Sequence, residues 1–151
     1  MNEKKNLTIE ETFALAVQNH KKNNLRVAEN LYKKILNANP NFAGVHNNLG
    51  MMYKELEEYK KAINCYEKAI QIDPNYAHVY YNLGNILQEL RELQKAKSCY
   101  EKLLKLDPAY KKGYSAYGNL LLKITQHSKG LSYIRKGDGV IRFTQKDVKI
   151  I

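Results

Sequence analysis

The sequence predicts an all-α fold of stacked helical repeats, and three observations carry that prediction. Small residues recur at Ala28, Ala62, Ala96 and Gly130, each 34 positions after the last. All three prolines, Pro40, Pro74 and Pro108, keep the same step. The triplet Asn48-Leu49-Gly50 returns as Asn82-Leu83-Gly84, and Ala116-Tyr117-Gly118 holds the next place. A fixed period of this length marks units that bury their apolar faces only against their neighbours.

The grid divides the chain of 151 residues into a tail (1–8), three full repeats (9–42, 43–76 and 77–110), a truncated fourth (111–136) and a C-terminal extended segment (137–151). When each repeat is numbered from its first residue, positions 4, 7, 8 and 11 fall on one stripe at ~100° per residue, and that stripe is core. The recurring small residue lies where the second helix crosses the first closely, because a larger side chain would hold the backbones apart. Aromatic residues at Tyr32, Tyr66 and Tyr100 fill the space beside it. Each proline ends the second helix of its repeat, having no amide hydrogen and clashing with the preceding turn. The turns between paired helices lack glycine. Asn23-Asn24 suits a left-handed conformation, whereas Glu57-Glu58 and Arg91-Glu92 are expected to turn in right-handed geometry, because a Cβ penalises the left-handed region. Gly137-Asp138-Gly139 reads as a turn leading into the extended Val140-Ile141-Arg142-Phe143.

The spacing resembles the tetratricopeptide repeat, W-x2-L-G-x2-Y, A-x3-F and P over 34 residues of helix-turn-helix. The second repeat carries it as His46-x2-Leu49-Gly50-x2-Tyr53, Ala62-x3-Tyr66 and Pro74. The third carries Tyr80-x2-Leu83-Gly84-x2-Leu87, Ala96-x3-Tyr100 and Pro108. The first keeps Ala28-x3-Tyr32 and Pro40 with Thr12 in the Trp slot, and the fourth starts with Tyr114-x2-Tyr117-Gly118. The resemblance implies a right-handed superhelix of antiparallel helix pairs, with a short irregular or β-like segment after it. It also implies a protein–protein interaction module, a scaffold or adaptor that holds a peptide or partner segment in a concave groove.

Positions 2, 5, 6, 9, 12 and 13 point away from the paired helix and would line that groove. The candidate groove residues are Asn47, Asn48, Met51, His78, Tyr81, Asn82, Asn85, Lys112 and Asn119. Asn48 and Asn82 hold the same position in adjacent repeats, and a side-chain amide offers an acceptor and two donors to an extended peptide backbone. The repeats of O-linked N-acetylglucosamine transferase, and of bacterial proteins like it, carry a similar asparagine ladder. Ala14 and Ala116 interrupt it here. A clamp for the terminal carboxylate of chaperone tails, a second use of the fold, is matched only by Asn82 and Lys112 and is rejected. Tyr81 and Met51 are read as apolar anchors. An alternative follows from the same resemblance: an N-terminal recruiting domain of a larger glycosyltransferase, oxygenase or methyltransferase, cut at Ile151.

The net charge of +10 comes from 21 Lys and 4 Arg against 15 acids, and Asn numbers 16. Such Lys and Asn usage is also what codon bias in an AT-rich genome produces. The groove positions carry four lysines and three glutamates, so the surplus lies elsewhere, chiefly in residues 111–151, with nine basic and two acidic residues. No arginine-rich helix or nucleic-acid motif accompanies it, which argues against nucleic acid as the partner. No run reaches the ~18 apolar residues of a spanning helix and the first residues lack a signal core, so a cytoplasmic protein with no membrane span is expected.

His20, His46, His78 and His127 have no metal-ligand spacing, and no phosphate loop or catalytic constellation appears, so neither cofactor nor enzymatic activity is expected. Cys65 and Cys99 sit one repeat apart, beyond the ~7 Å reach of a disulfide, and are expected to be free thiols. The apolar ending through Val148, Ile150 and Ile151 fits a fold-back, self-association through Val140–Phe143, or a junction to a further domain.

Overall fold

The computed structural model describes residues 7–138. They form α1 (Ile9–Lys21), α2 (Leu25–Ala38), α3 (Ala43–Glu55), α4 (Tyr59–Ile72), α5 (Ala77–Glu89), α6 (Leu93–Leu106), α7 (Lys111–Lys123) and α8 (His127–Asp138). No strand occurs among the described residues. The chain divides into two compact units after Val79, inside α5.

Local chemistry sets each boundary. Thr8, expected in the tail, is the N-cap of α1. Its hydroxyl accepts from the Glu11 amide at 3.1 Å, and the Glu11 carboxylate accepts from the Thr8 amide at 2.9 Å. This reciprocal capping box satisfies two amides that the first turn would leave unpaired. The second helix of each full repeat ends two residues before its proline. The intervening Asn39, Asp73 and Asp107 leave the helical region, as a residue before proline must. Their side chains then accept from the amides of Asn41, Asn75 and Ala109 at 3.0–3.2 Å, forming the turn into the next repeat.

The turns between paired helices correct the expectation of right-handed geometry. Asn23, Glu57, Arg91 and Thr125 all have positive φ, between 59° and 65°. In each, two amides cap the preceding helix: Glu57 N–H reaches the Lys54 carbonyl at 2.9 Å, and Glu58 N–H reaches the Tyr53 carbonyl at 2.8 Å. The same pair recurs at Arg91-Glu92 with Gln88 and Leu87. These are Schellman caps, and two satisfied carbonyls offset the left-handed cost of ~1–2 kcal/mol.

In the first unit the core includes Ala16, Ala28, Tyr32, Val45, Met52, Ala62 and Tyr66, all essentially without exposure. Gly50 faces the Tyr66 ring, where a Cβ would lie 2.5 Å from Cε1. Phe13 stacks on Phe42 with centroids 5.2 Å apart, and Tyr53 donates to Glu29 Oε1 at 2.7 Å. In the second unit Tyr100 and Tyr117 lie 6.2 Å apart, Tyr133 meets Tyr117 edge-on at 4.8 Å, and Tyr117 donates to Glu101 at 2.5 Å.

The fourth pair departs from the sequence reading at its end. Gly137 and Asp138, expected in a turn, belong to α8. A Cβ on Gly137 would lie 2.7 Å from the Lys111 carbonyl oxygen and 2.8 Å from the Ser115 nitrogen, so glycine here is what lets α8 run on against the start of α7. The β-like segment and the self-association segment from Val140 lie outside the described residues.

Candidate functional site

Each unit contains an open cavity of about the size of a few side chains, built from the non-core positions of first helices. In the first unit it measures about 400 Å3 and is lined by Val17, His20 and Lys21 of α1, Asn23 of the turn, Tyr32 of α2, and Asn48, Met51 and Glu55 of α3. In the second it measures about 390 Å3 and is lined by Tyr81, Asn85 and Gln88 of α5, Tyr100 of α6, and Lys111, Lys112, Ser115, Ala116 and Asn119 of α7.

The floor of each cavity is the tyrosine that follows the small residue of the second helix. Tyr32 is fully buried, and its hydroxyl meets no partner at hydrogen-bonding geometry. Burial pushes this phenol up to about 12; the nearby Asn48 amide opposes that shift, and the Glu55 charge adds to it. Tyr100 is equally buried, but its hydroxyl donates to Asn85 Oδ1 at 2.8 Å. Burial above all, and then the neighbouring Tyr81, Cys99 and Glu89, push its phenol up.

Six of the candidate groove residues line these cavities: Asn48 and Met51 in the first unit, Tyr81, Asn85, Lys112 and Asn119 in the second. His78 and Asn82 line neither and are half-buried on α5. Asn47 is a correction, since it is 3% exposed rather than open. Its amide nitrogen donates to Asn48 Oδ1 at 3.4 Å and approaches Met51 Sδ at 3.8 Å. The reason is positional. Position 5 turns toward the residue that closes its repeat, as Phe13 does toward Phe42 and Tyr81 toward Tyr110, 5.3 Å away. Tyr81 is therefore braced by Tyr110 while it lines its cavity.

Sequence reasoning missed Tyr32 and Tyr100, because it took their slot as pure core. The signal was present in the residue type: a buried tyrosine, unlike phenylalanine, brings a hydroxyl that has to emerge somewhere. At the rim of the first cavity His20 Nε2 meets Glu55 Oε2 at 3.0 Å. A third cavity of about 400 Å3 lies at the repeat junction, where His46 Nε2 is 3.0 Å from the Pro40 carbonyl oxygen; this accounts for a histidine in the Trp slot. Among the described residues no group of His, Cys, Asp and Glu could hold a metal ion. Cys65 and Cys99 are free thiols, and burial pushes Cys65 up. Among the described residues no helix is long and apolar enough to cross a membrane.

Comparison with known proteins agrees with this architecture. Models described as TPR repeat or tetratricopeptide repeat match residues 31–64, 50–90 and 77–110, which together run over more than half the chain. No curated protein matches it. Among solved structures, a crystal structure of MamA superposes with a TM-score of 0.80 at 23% identity, covering 87% of this chain and 77% of that one. PilF of Pseudomonas aeruginosa gives 0.81 at 24%, covering 93% and 64%. A MamA fragment from Desulfovibrio magneticus RS-1 gives 0.76 at 20%, covering 87% and 75%. At these identities the likeness establishes the fold. The reading as a recruiting arm of a transferase or oxygenase is not favoured by these matches.

Proposed function

Because the chain belongs to the tetratricopeptide-repeat family, we propose that it is a protein-interaction scaffold whose first-helix faces bind an extended segment of a partner protein. The observation that carries this reading is the recurrence of one cavity design in both units. Each is floored by a buried tyrosine, walled by amides, and about 400 Å3 in volume, enough for side chains of a bound segment. The walls suit a peptide. Met51 and Val17 offer apolar surface, while Asn85, Gln88 and Asn119 offer amide groups for a main chain.

The asparagine ladder takes a different form from the one expected. Asn48 stands beside the Tyr32 hydroxyl and accepts from Asn47, so part of its capacity is used internally. Asn119, which is exposed, is the cleaner probe. A peptide selected by display against the protein should lose about 0.5–1.5 kcal/mol of affinity in Asn119→Ala and a similar amount in Met51→Ala, with unfolding midpoints unchanged. Calorimetric titration checks this, and unaltered affinity in both variants would remove the groove from the account.

A further inference from the structure

We propose that the partner segment is acidic, and that the cavity of the second unit seats its carboxylate side chains at Lys111 and Lys112. This inference rests on the groove reading above and adds the chemistry of the occupant. Its basis is an asymmetry of charge between parts of the chain. Residues 7–110 carry 14 basic and 12 acidic side chains, whereas residues 111–138 carry six basic and one acidic, Asp138 at the end of α8. A lysine-rich composition alone adds cations evenly; it does not reduce the acids of two helices to one at their far end.

Elsewhere several of the lysines sit beside an acid of their own helix or its cap. Lys33 bonds Glu29 at 2.7 Å, Lys61 bonds Glu58 at 2.5 Å, Lys95 bonds Glu92 at 2.5 Å, and Lys97 approaches Glu101 at 3.9 Å. None of these pairs involves Lys111 or Lys112. The cavities repeat the contrast. The first holds Glu55 together with Lys21, and Glu55 is already bound to His20. The second holds Lys111 and Lys112 with amides and hydroxyls and no acid at all.

Two exposed ammonium groups on the rim of a cavity of about 390 Å3 are complementary to a carboxylate whose stem enters the cavity. Lys111 and Lys112 also open α7 without an acid in its first turn or a side-chain N-cap, a placement in which an incoming anion relieves like charge. The remaining cations, Lys123, Lys129, Arg135 and Lys136, extend the field along the same helix pair and would speed encounter with an acidic segment. A peptide fits better than a nucleic acid. The cavity admits side chains rather than a phosphate track, and of its two aromatic side chains Tyr100 is buried and Tyr81 is packed on Tyr110 instead of presenting a face for a base.

The test uses the whole chain and three labelled peptides of equal length with amidated C-termini, alike except that one carries Asp and Glu where the others carry Asn and Gln, or Lys. Fluorescence anisotropy should show the acidic peptide binding about tenfold tighter than the amide peptide at low salt, with the advantage shrinking as salt rises. Lys111→Gln with Lys112→Gln should remove most of that advantage at an unchanged melting temperature, and Lys33→Gln with Lys61→Gln should leave it intact. If acidic and amide peptides bind equally, the charge assignment falls and the groove reading stands. If no peptide of any charge binds, both fall. A single-stranded RNA of the same charge binding more tightly than the acidic peptide would reassign the surface to nucleic acid. An acidic peptide that binds only with a free C-terminus would overturn the side-chain assignment.

Discussion

The two cavities occupy the same place in two units and are wired differently. In the first, Tyr32 ends in an unpartnered hydroxyl beside Asn48, the position-6 residue of the next repeat. In the second, that position is Ala116, and Tyr100 instead donates to Asn85, the position-9 residue of its own repeat. The slot that holds asparagine thus changes from 6 to 9 where the tyrosine's partner changes. An asparagine on this face can be taken up by the tyrosine beneath it, as Asn85 is by Tyr100. A repeated amide is therefore not by itself a free rung, and only residues such as Asn119, away from the hydroxyl, read out binding alone.

The comparison can be broken most forcefully at the glycines. A Cβ on Gly118 would lie 2.7 Å from the Gly130 carbonyl oxygen and 2.8 Å from the Ile134 nitrogen, so two backbones would have to separate. On Gly50 it would meet only the Tyr66 ring, at 2.5 Å. Gly118→Ala should cost about 3 kcal/mol or more, and Gly50→Ala about 1–3 kcal/mol because a side chain can yield. Urea unfolding of both variants checks the order, and equal costs would mean that the helix contact in the second unit is looser than described.

The tyrosines sharpen the comparison at smaller scale. Tyr100→Phe removes a buried donor from Asn85 and should cost about 0.5–1.5 kcal/mol or more, since the Asn85 oxygen loses its partner. Tyr32→Phe removes a hydroxyl that satisfies nothing, and should be neutral or slightly stabilising. Thermal unfolding of the pair separates the two wirings, and a larger loss at Tyr32 would show that its hydroxyl is bound to Asn48 in solution.

The smallest effect concerns the turns. Glu57→Gly and Arg91→Gly should each stabilise by up to about 1 kcal/mol, because glycine bears no Cβ in the left-handed region, whereas Asn23→Gly should gain only a few tenths. Chemical denaturation of the three variants is the check.

These turns also show where the sequence stopped being legible. The helical class and the order of helix pairs followed from one period, because every proline and recurring small residue agreed on it. Of the expected groove positions, by contrast, Asn47 is buried and His78 and Asn82 line neither cavity. The left-handed turns did not follow from the period either. The penalty on Glu57 and Arg91 is local and visible, whereas the two carbonyls that each turn satisfies belong to the helix before it. Gly137 was likewise read as a loop signal, since glycine marks turns and close helix contacts alike; its neighbour at Lys111 is distant in sequence. Tyr32 and Tyr100 were assigned to the core, where their rings are, and the cavity floor depends on where their hydroxyls point.

The most direct test of the central claim is an amide chemical-shift map of the isotopically labelled protein titrated with a display-selected peptide. The account predicts that the largest changes cluster on first-helix faces, at Met51 and Glu55 in one unit and at Asn85, Ala116 and Asn119 in the other. Changes concentrated instead on the outer faces of second helices, around Lys33, Lys60 or Lys95, would contradict it and move the binding surface to the opposite side of each helix pair.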